Sequence, residues 1–423
     1  MRTLRGLSLL LVGGVSRPAG SADFDGTALL ALSDVDMVGT AYADGILKPL
    51  AGTSDTLSVI DLADPEMSVA TIPAPNSVMS WPQVVETSPD GQRAYVVEAR
   101  SSPPDSVSAY DDIEEMPFGS MLSIFDLTDP RTPSVLQQLA VGTNPRSISV
   151  SPGGAWLLTS SDVVGGEVVV LDASDPLHGQ WSLPLPGEMT PRALRWRDDD
   201  GVFAANLDDT HVGFFRVVFS ASGEPAGIEP IGEPIEAGRH LSSGEFIGDG
   251  AFFLIPDLRW GGSPAGYLFN GAGRLVSIRF DAGGAHDVVS QARVERSPEG
   301  MAVGPDERFA VTVNMRRTYL PDGGVTGVWP GQDRSSLSLL RVDRGSGEVE
   351  EIDTVRFDGI LPEDAVFDVD GDALAVTLFH LREDLPEQGY IEFWGIDRGA
   401  GRLIATGERI PVTRGPHDLH LIP

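Results

Sequence analysis

The sequence predicts an all-β fold, a seven-bladed β-propeller whose blades are four-stranded antiparallel sheets. Three observations predict it: a hairpin motif that recurs along the chain, a third strand that follows each hairpin, and two chain ends that complement each other. The composition agrees, because 49 Gly and 32 Pro among 423 residues are typical of a chain with many turns. The hydrophobic fraction of 41% is sufficient for a large core.

Six segments share one pattern, in which a leading turn and a short apolar strand precede a Pro/Asp/Gly turn and a second strand. Proline presets φ and glycine accepts positive φ, so each segment is predicted to be a β-hairpin. The segments are WPQVVETSPDGQRAYVVE (81–98), NPRSISVSPGGAWLLTSS (144–161), TPRALRWRDDDGVFAANL (190–207), GRHLSSGEFIGDGAFFLI (238–255), SPEGMAVGPDERFAVTVN (297–314) and LPEDAVFDVDGDALAVTL (361–378).

A third strand with its own turn follows each hairpin, and a weaker fourth strand comes after that turn. Seven third strands are recognisable, one more than the number of complete hairpins. They are LSVIDLADP (57–65), LSIFDLTDP (122–130), VVVLDASDP (168–176), VGFFRVVFSASGEP (212–225), LVSIRFDAGGAHD (275–287), LSLLRVDRGSGEV (337–349) and IEFWGIDRGAGRL (391–403).

The chain ends supply the missing seventh hairpin. Residues Pro416–Pro423 (PHDLHLIP) match the first strand of a repeat, and Asp23–Asp34 (DFDGTALLALSD) supply the turn and second strand that should follow. The repeat length of about 56 residues is within the range of propeller blades with loop insertions. The C-terminal strand should therefore join the N-terminal blade, which closes the ring and removes its open edges. Residues 23–423 are predicted to form a single domain.

Residues 1–22 have the pattern of a secretory signal. Two early arginines precede an apolar stretch, Leu7–Val15, and small residues continue to Ala22. A periplasmic or secreted protein is therefore expected, with a cytoplasmic protein that carries a disordered leader as the alternative. No other stretch approaches the ~18 apolar residues of a membrane span, so no membrane span is predicted. We expect a monomer.

Charge and cysteine content exclude several functional classes. The formal net charge is −32, and Lys48 is the only lysine among 30 basic residues. Such an acidic surface repels nucleic acid and anionic lipid, so neither is expected as a partner. The absence of cysteine excludes disulfides, thiolate metal sites, cysteine nucleophiles and a lipoprotein anchor.

The segments SPDGQRAYVV (88–97) and SPGGAWLLTS (151–160), together with VIDLADP and VLDASDP, resemble the YVTN and lactonase-like seven-bladed propellers. The DxxDP turns also resemble the LVIVD-type repeats of extracellular bacterial proteins. The resemblance covers essentially Asp23 to Pro423 and implies the propeller fold. For part of the group it implies hydrolysis of lactones by 6-phosphogluconolactonase-like enzymes. No catalytic motif of the family can be placed here, so the resemblance assigns no residue a role.

The first positions of the inner strands should surround one end of the central channel. Three successive blades carry basic residues there and the next three carry carboxylates, which would suit a small polar or anionic ligand. Alternatively, these charges only interact with solvent or with one another. The positions are Gln83, Arg146, Arg192, Arg239 with His240, Glu299, Glu363 with Asp364, and His417 with Asp418.

Long loops between second and third strands emerge on the same face of the ring. Loops of this length on a compact scaffold are usually functional or disordered, and arginine with aromatic residues is typical of binding surfaces. Arg259, Trp260, Arg316 and Trp329 are therefore candidate contacts for a ligand or a protein partner. The loops are Val35–Thr56, Arg100–Ser120, Pro256–Gly273, Met315–Ser335 and Leu381–Gly389.

Two chemistries are compatible with these residues. A hydrolase could use His240, His417 or His380 as a general base with Glu299 or Glu363 as its carboxylate partner. A divalent cation such as Ca²⁺ or Mg²⁺ could be held by oxygen donors near the channel mouth, and no other cofactor is expected. The possible cation ligands are Glu299, Glu363, Asp364, Asp418, Asn206 and Asn314.

The leading hypothesis is an exported propeller that binds a small polar or anionic ligand, or a protein partner, on its long-loop face. The alternative is a lactone or ester hydrolase that uses the same central pocket. A third possibility is a structural envelope protein without pocket chemistry. A histidine–carboxylate pair would favour the hydrolase, and long loops that fill the channel mouth would favour the structural protein.

Overall fold

A computed structural model describes residues 24–50, 52–104, 106–187, 189–261, 266, 269–321 and 334–423. In these ranges, 29 strands form seven antiparallel sheets. A short helix, α1 (Ala41–Asp44), and a 3₁₀ turn, Ile113–Glu115, lie in the loops of the first two blades. The predicted seven-bladed propeller is therefore confirmed.

The strands follow one another from the channel outwards in every blade except the first. Blade 1 contains β1 (Ala28–Ser33), β2 (Thr56–Asp61) and β3 (Val69–Pro73); blade 2 contains β4 (Val85–Thr87), β5 (Arg93–Val97), β6 (Met121–Asp126) and β7 (Ser134–Ala140). Blade 3 contains β8 (Ile148–Val150), β9 (Trp156–Ser160), β10 (Val168–Asp172) and β11 (Gln180–Leu183). Blade 4 contains β12 (Ala193–Trp196), β13 (Val202–Asn206), β14 (His211–Phe219), β15 (Pro225–Pro230) and an additional β16 (Ile235–Glu236) that pairs with β14.

The remaining three blades keep the same order. Blade 5 contains β17 (Glu245–Ile247), β18 (Phe252–Asp257), β19 (Arg274–Arg279) and β20 (Asp287–Arg293). Blade 6 contains β21 (Pro298–Val303), β22 (Phe309–Asn314), β23 (Ser335–Asp343) and β24 (Glu348–Phe357). Blade 7 contains β25 (Ala365–Phe367), β26 (Ala373–Leu378), β27 (Gln388–Asp397) and β28 (Arg402–Thr413), and the chain then returns to blade 1 as β29 (Pro416–Ile422).

The two chain ends close the ring as the sequence predicts. Strand β29 pairs with β1 in an antiparallel register that places Leu29 opposite Leu421 and Leu32 opposite Asp418. All six residues of β1 are buried, because β1 lies between β29 and β2 and has neighbouring blades on both faces. The ring therefore depends on the last seven strand residues.

Side chains of the inner strands connect each blade to the next. An inner strand has one unpaired edge, and its free N–H groups need acceptors. Asp364 Oδ2 accepts a hydrogen bond from Leu419 N at 2.9 Å, and Asp418 Oδ2 accepts hydrogen bonds from Val84 N and Val85 N at 2.5 and 2.9 Å. The same role is played in the following blades by Glu86 towards Val150, Ser147 towards Leu194 and Ser149 towards Trp196.

The long loops pack together into an apolar layer, which we call the loop cap. It combines loops of blades 1, 2, 5, 6 and 7, and the contacts of Trp81 with His240 and of Pro82 with Ser243 cross the end of the channel between blades 2 and 5. The layer is stabilised by burial of apolar surface, at about 25 cal/mol per Å². Its buried members include Met37, Val38, Leu47, Ile113, Met116, Leu258, Met315, Tyr319, Leu320, Ile360 and Phe379.

Candidate functional site

His240 lies on the long-loop face, between β16 and β17. Its Nδ1 atom is 3.2 Å from Oδ1 of Asp209, which belongs to the turn between β13 and β14. Arg192 Nη1 is 2.5 Å from the same oxygen. The contact with His240 and the charges of His240 and Arg192 outweigh partial burial, so the pKa of Asp209 is held below its usual value. An ionised Asp209 therefore faces Nδ1 of His240.

Two tryptophans flank the His240 ring. The ring centroid of Trp81 is 5.4 Å away in an edge-on arrangement, and that of Trp260 is 5.2 Å away. Trp260 is itself fixed, because its Nε1–H donates to Ser297 Oγ at 2.9 Å and its ring packs edge-on against Tyr319. No hydrogen bond to Nε2 of His240 is present among the described residues. His240 thus has one nitrogen at a carboxylate, and the other has no hydrogen-bond partner in the part of the chain that the structure describes.

Asp257, at the end of β18, positions both loops of this site. Its Oδ1 atom accepts three backbone hydrogen bonds, from Arg239 N at 3.0 Å, His240 N at 3.1 Å and Arg259 N at 3.0 Å. Asp257 is 1% exposed, so solvent does not compete for these bonds. A Cβ on Gly238 would lie 2.7 Å from Asp257 Cγ, so this close approach requires glycine.

Arg239 and Arg259 extend from these same loops. Arg239 is exposed and Arg259 is half-buried, and neither forms an ion pair in the part of the chain that the structure describes. Arg259 has φ = 58°, a left-handed conformation that is unusual for a residue with a Cβ. Its N–H bond to Asp257 maintains that conformation, which places Arg259 directly before Trp260. The two guanidinium groups are therefore available to an anionic ligand.

The other basic candidates are engaged with the protein. Arg146 Nη2 is 3.1 Å from Asp162 Oδ2, and the buried Arg316 Nη1 is 3.4 Å from Glu295 Oε2. Trp329 lies outside the described residues. The structure thus brings Arg192, Arg239, Arg259, His240 and Trp260 together, while Arg146 and Arg316 have carboxylate partners of their own.

The predicted acidic positions of the channel mouth are buried beneath the loop cap. Glu299, Glu363, Asp364 and Asp418 are each at most 6% exposed. Burial raises the pKa of Glu299 to about 8, and burial together with the charge of Glu299 raises that of Glu363 well above its usual value. Burial also raises the pKa of Asp418 to about 6, and burial together with the charge of Asp418 raises the pKa of Asp364 well above its usual value.

His417 and His380 are buried, neutral histidines. His417 contacts Asn76 Oδ1 through Nε2 at 2.7 Å, and burial lowers its pKa to about 3. His380 Nδ1 lies 2.9 Å from the carbonyl oxygen of Arg382, and burial lowers its pKa to about 4. Neither ring has a carboxylate within ion-pair distance among the described residues. Of the three histidine candidates, only His240 has a carboxylate oxygen within ion-pair distance among the described residues, and the angles of this contact fall outside those of a hydrogen bond.

The asparagine and glutamine candidates bridge backbone and side-chain groups. Asn206 Nδ2 donates to the carbonyl oxygens of Leu241 and Ser242, both at 2.9 Å. Gln83 Nε2 donates to Leu194 O at 2.6 Å, which connects blade 2 to the inner strand of blade 4. Asn314 contributes its side chain within blade 6, where Nδ2 donates to Ser336 Oγ and Ser338 Oγ.

Sequence reasoning missed Asp209, Asp257 and Trp81 as parts of the site. Trp81 lies two residues before Gln83, Asp209 follows the second strand β13 and Asp257 ends the second strand β18, so their places in the repeat were the available signal. A further cluster was also missed: carboxylate oxygens of Asp34, Asp36 and Asp55 lie within 4.8 Å of one another. Burial and the charge of Asp34 raise the pKa of Asp36 to about 7.

The fold defines the class of protein as a seven-bladed β-propeller, and comparisons with solved structures agree. The periplasmic gluconolactonase of Pseudomonas aeruginosa has a TM-score of 0.62 at 15% identity, covering 94% of this chain and 99% of that chain. A putative 6-phosphogluconolactonase from Bacteroides fragilis has a TM-score of 0.60 at 15% identity, covering 94% and 98%. A hypothetical selenium-binding protein from Sulfolobus tokodaii has a TM-score of 0.56 at 12% identity, covering 95% of each chain.

Two of these three structural neighbours are named as lactonases. At identities of 12–15%, the comparison shows that they share the fold of this chain and no more. No family model matches the chain, and no curated protein sequence does. Among the helices of the described ranges, none is long and apolar enough to cross a membrane.

Proposed function

We propose that the protein is an exported propeller that binds a small hydroxylated anion or lactone at the His240 site and hydrolyses the lactone. The observation that carries the proposal is the His240 ring, which has Asp209 at Nδ1, no partner for Nε2 among the described residues and a tryptophan on each side. A carboxylate beside a histidine can orient the ring and stabilise the imidazolium that forms when the histidine acts as a general base.

The proposed reaction is attack of water on the lactone carbonyl. His240 Nε2 would remove the proton from water, and the charge of Asp209 would stabilise the imidazolium that forms. The ring C–O bond then breaks, and the imidazolium returns the proton to the departing alkoxide, which leaves a hydroxy acid. The positive charges of Arg239 and Arg259 would stabilise the oxyanion of the tetrahedral intermediate.

Recognition of the ligand would use the same few side chains. The faces of Trp81 and Trp260 provide apolar surface for the C–H groups of a sugar ring, and the arginines bind carboxylate or phosphate in a bidentate fashion. The lactonases among the structural neighbours support the choice of substrate class, as do the segments that resemble the YVTN propellers. The signal-like residues 1–22 lie outside the described ranges and support export.

Binding without catalysis is the second candidate. The loop cap covers the channel mouth, so a ligand could bind only at the surface beside blades 4 and 5. Such a surface site would suit a protein that recognises its ligand without converting it. The covered channel mouth also supports a third candidate, a structural envelope protein. Both alternatives predict that no lactone is hydrolysed.

The test is hydrolysis of a panel of lactones and esters by the full chain, with and without chelator, monitored by acid release. We expect at least one lactone to be hydrolysed, and His240→Ala to reduce that rate about 10²-fold or more. His178→Ala is the matched control, because His178 also contacts an aspartate, Asp175 at 3.0 Å, in an exposed turn of blade 3 on the opposite face. Equal rates for the wild type and His240→Ala would refute the proposal.

A further inference from the structure

Four residues at the start of consecutive inner strands form a buried arc around the channel. Gln83, His417, Glu363 and Glu299 belong to blades 2, 1, 7 and 6, and each directly follows a proline at the same position of the repeat. Their exposed fractions are 7, 0, 0 and 5%. We call these four residues the acceptor arc.

Unpartnered atoms of the acceptor arc are all acceptors. Neither carboxylate oxygen of Glu363 has a hydrogen-bond partner, and in the described ranges none is found for the carboxylate of Glu299. Gln83 donates through Nε2 to a carbonyl oxygen, which leaves Oε1 unpartnered. The Glu363 carboxylate and Gln83 Oε1 are removed from water without a donor to replace it, which is costly.

The tautomer of His417 follows from its neighbour. Asn76 Nδ2 donates to the carbonyl oxygens of Ser33 and Ala74, so the Oδ1 atom of Asn76 is the acceptor that faces His417. His417 Nε2 therefore carries the proton, and its Nδ1 atom, which has no partner, is a further acceptor.

The two carboxylates of the acceptor arc, Glu299 and Glu363, have no positive group beside them among the described residues. Among the described residues, no Arg, Lys or His nitrogen lies within 4 Å of the Glu299 or Glu363 carboxylate. The charge of Glu299 raises the pKa of Glu363, and the charges of both raise the pKa of the half-buried Tyr42 of the loop cap. A buried negative charge requires a counter-charge or a proton.

We propose that the acceptor arc binds a hydrated divalent cation, held by the carboxylates of Glu299 and Glu363. Oxygen ligands of this kind are preferred by Mg²⁺ and Ca²⁺, and Mg²⁺ in particular retains several waters when one or two carboxylates bind it. Those waters present only O–H donors, which match Gln83 Oε1 and His417 Nδ1. The cation neutralises the inner end of the channel and stabilises the ring, independently of any reaction at His240.

The test is thermal unfolding of the chelator-treated full chain with added MgCl₂ or CaCl₂, together with calorimetric titration of the same metals. We expect saturable stoichiometric binding and a rise in the melting temperature with metal concentration. Glu363→Gln keeps the shape of the side chain but removes a charge, so it should unfold at a higher temperature than the wild type in chelator and lose the metal-dependent shift.

Asp55→Asn is the matched control, because it alters the other acidic cluster, Asp34, Asp36 and Asp55. Retention of metal binding in Asp55→Asn and its loss in Glu363→Gln support the acceptor arc. The reverse pattern, or no metal binding by the wild type, overturns the proposal. Since all these readouts are binding and stability, they are independent of whether any lactone is hydrolysed.

Discussion

Replacing Asp257 with alanine removes the acceptor that fixes two loops of the His240 site. Three backbone N–H groups, those of Arg239, His240 and Arg259, donate to one buried carboxylate oxygen. Hydrogen bonds to a charged group contribute about 1.5–3 kcal/mol each. Since water can reach the half-exposed loops after the change, the three losses will not add fully, and we expect a loss of about 3 kcal/mol in the free energy of unfolding.

The assay is urea denaturation of the wild type, Asp257→Ala and Asp257→Asn. The asparagine keeps an acceptor oxygen at the same place but carries no charge. The free energy of unfolding of Asp257→Asn should therefore fall by about 1 kcal/mol, because neutral acceptors form weaker hydrogen bonds. Both variants should also lower lactone hydrolysis, because His240 and Arg259 are no longer held in place. Equal stability of the alanine variant and the wild type would refute the role assigned to Asp257.

Three further predictions concern the ring, the ligand and pH. Deletion of Asp418–Pro423 should unfold the entire ring, because it removes most of β29 and the bonds from Val84 N and Val85 N; circular dichroism that loses only a small part of the β signal would contradict this. Arg239→Ala should weaken binding of an aldonate about tenfold in calorimetry with little change in melting temperature, since this exposed side chain has no ion pair among the described residues; unaltered affinity would exclude Arg239 from the site. In chelator, burial raises the pKa of Glu299 from 4.5 to about 8, so the folded state binds the proton more tightly than the unfolded state. The stability contributed by this proton is therefore lost as pH rises from about 5 to 8, and the decline should be smaller in Glu299→Gln. Parallel curves of stability against pH for the wild type and Glu299→Gln would contradict the burial of the Glu299 carboxyl group.

The fold could be predicted because its signals repeat. A turn such as Ser88–Gly91 imposes local geometry, and the structure places Gly91 at φ = 68° beside Ile422 of the closing strand. Such a hairpin recurs seven times when the two chain ends are combined, and few folds other than a closed propeller fit that repeat. The closure between β1 and β29 followed from that pattern, although these strands are almost the full chain length apart.

The site was only partly predictable, because it depends on loops that do not repeat. Nothing local in the sequence shows that the apolar residues of five loops meet over the channel, so Glu299 and Glu363 were expected at an open mouth and are buried instead. His240, Arg239, Arg259 and Trp260 were recognised from residue type and position. Asp209 and Asp257 were not, because an aspartate after a strand is common and only the packed structure shows which groups it contacts.

The most direct test of the proposed site is the kcat/KM for lactone hydrolysis of Asp209→Asn compared with Asp208→Asn. The two aspartates are adjacent in one turn, but Asp209 faces His240 while Asp208 contacts His211. We expect Asp209→Asn to lower kcat/KM about 10²-fold or more and Asp208→Asn to leave it nearly unchanged. Equal effects of the two substitutions, or full activity of Asp209→Asn, would contradict the assignment of His240 and Asp209 as the reacting pair.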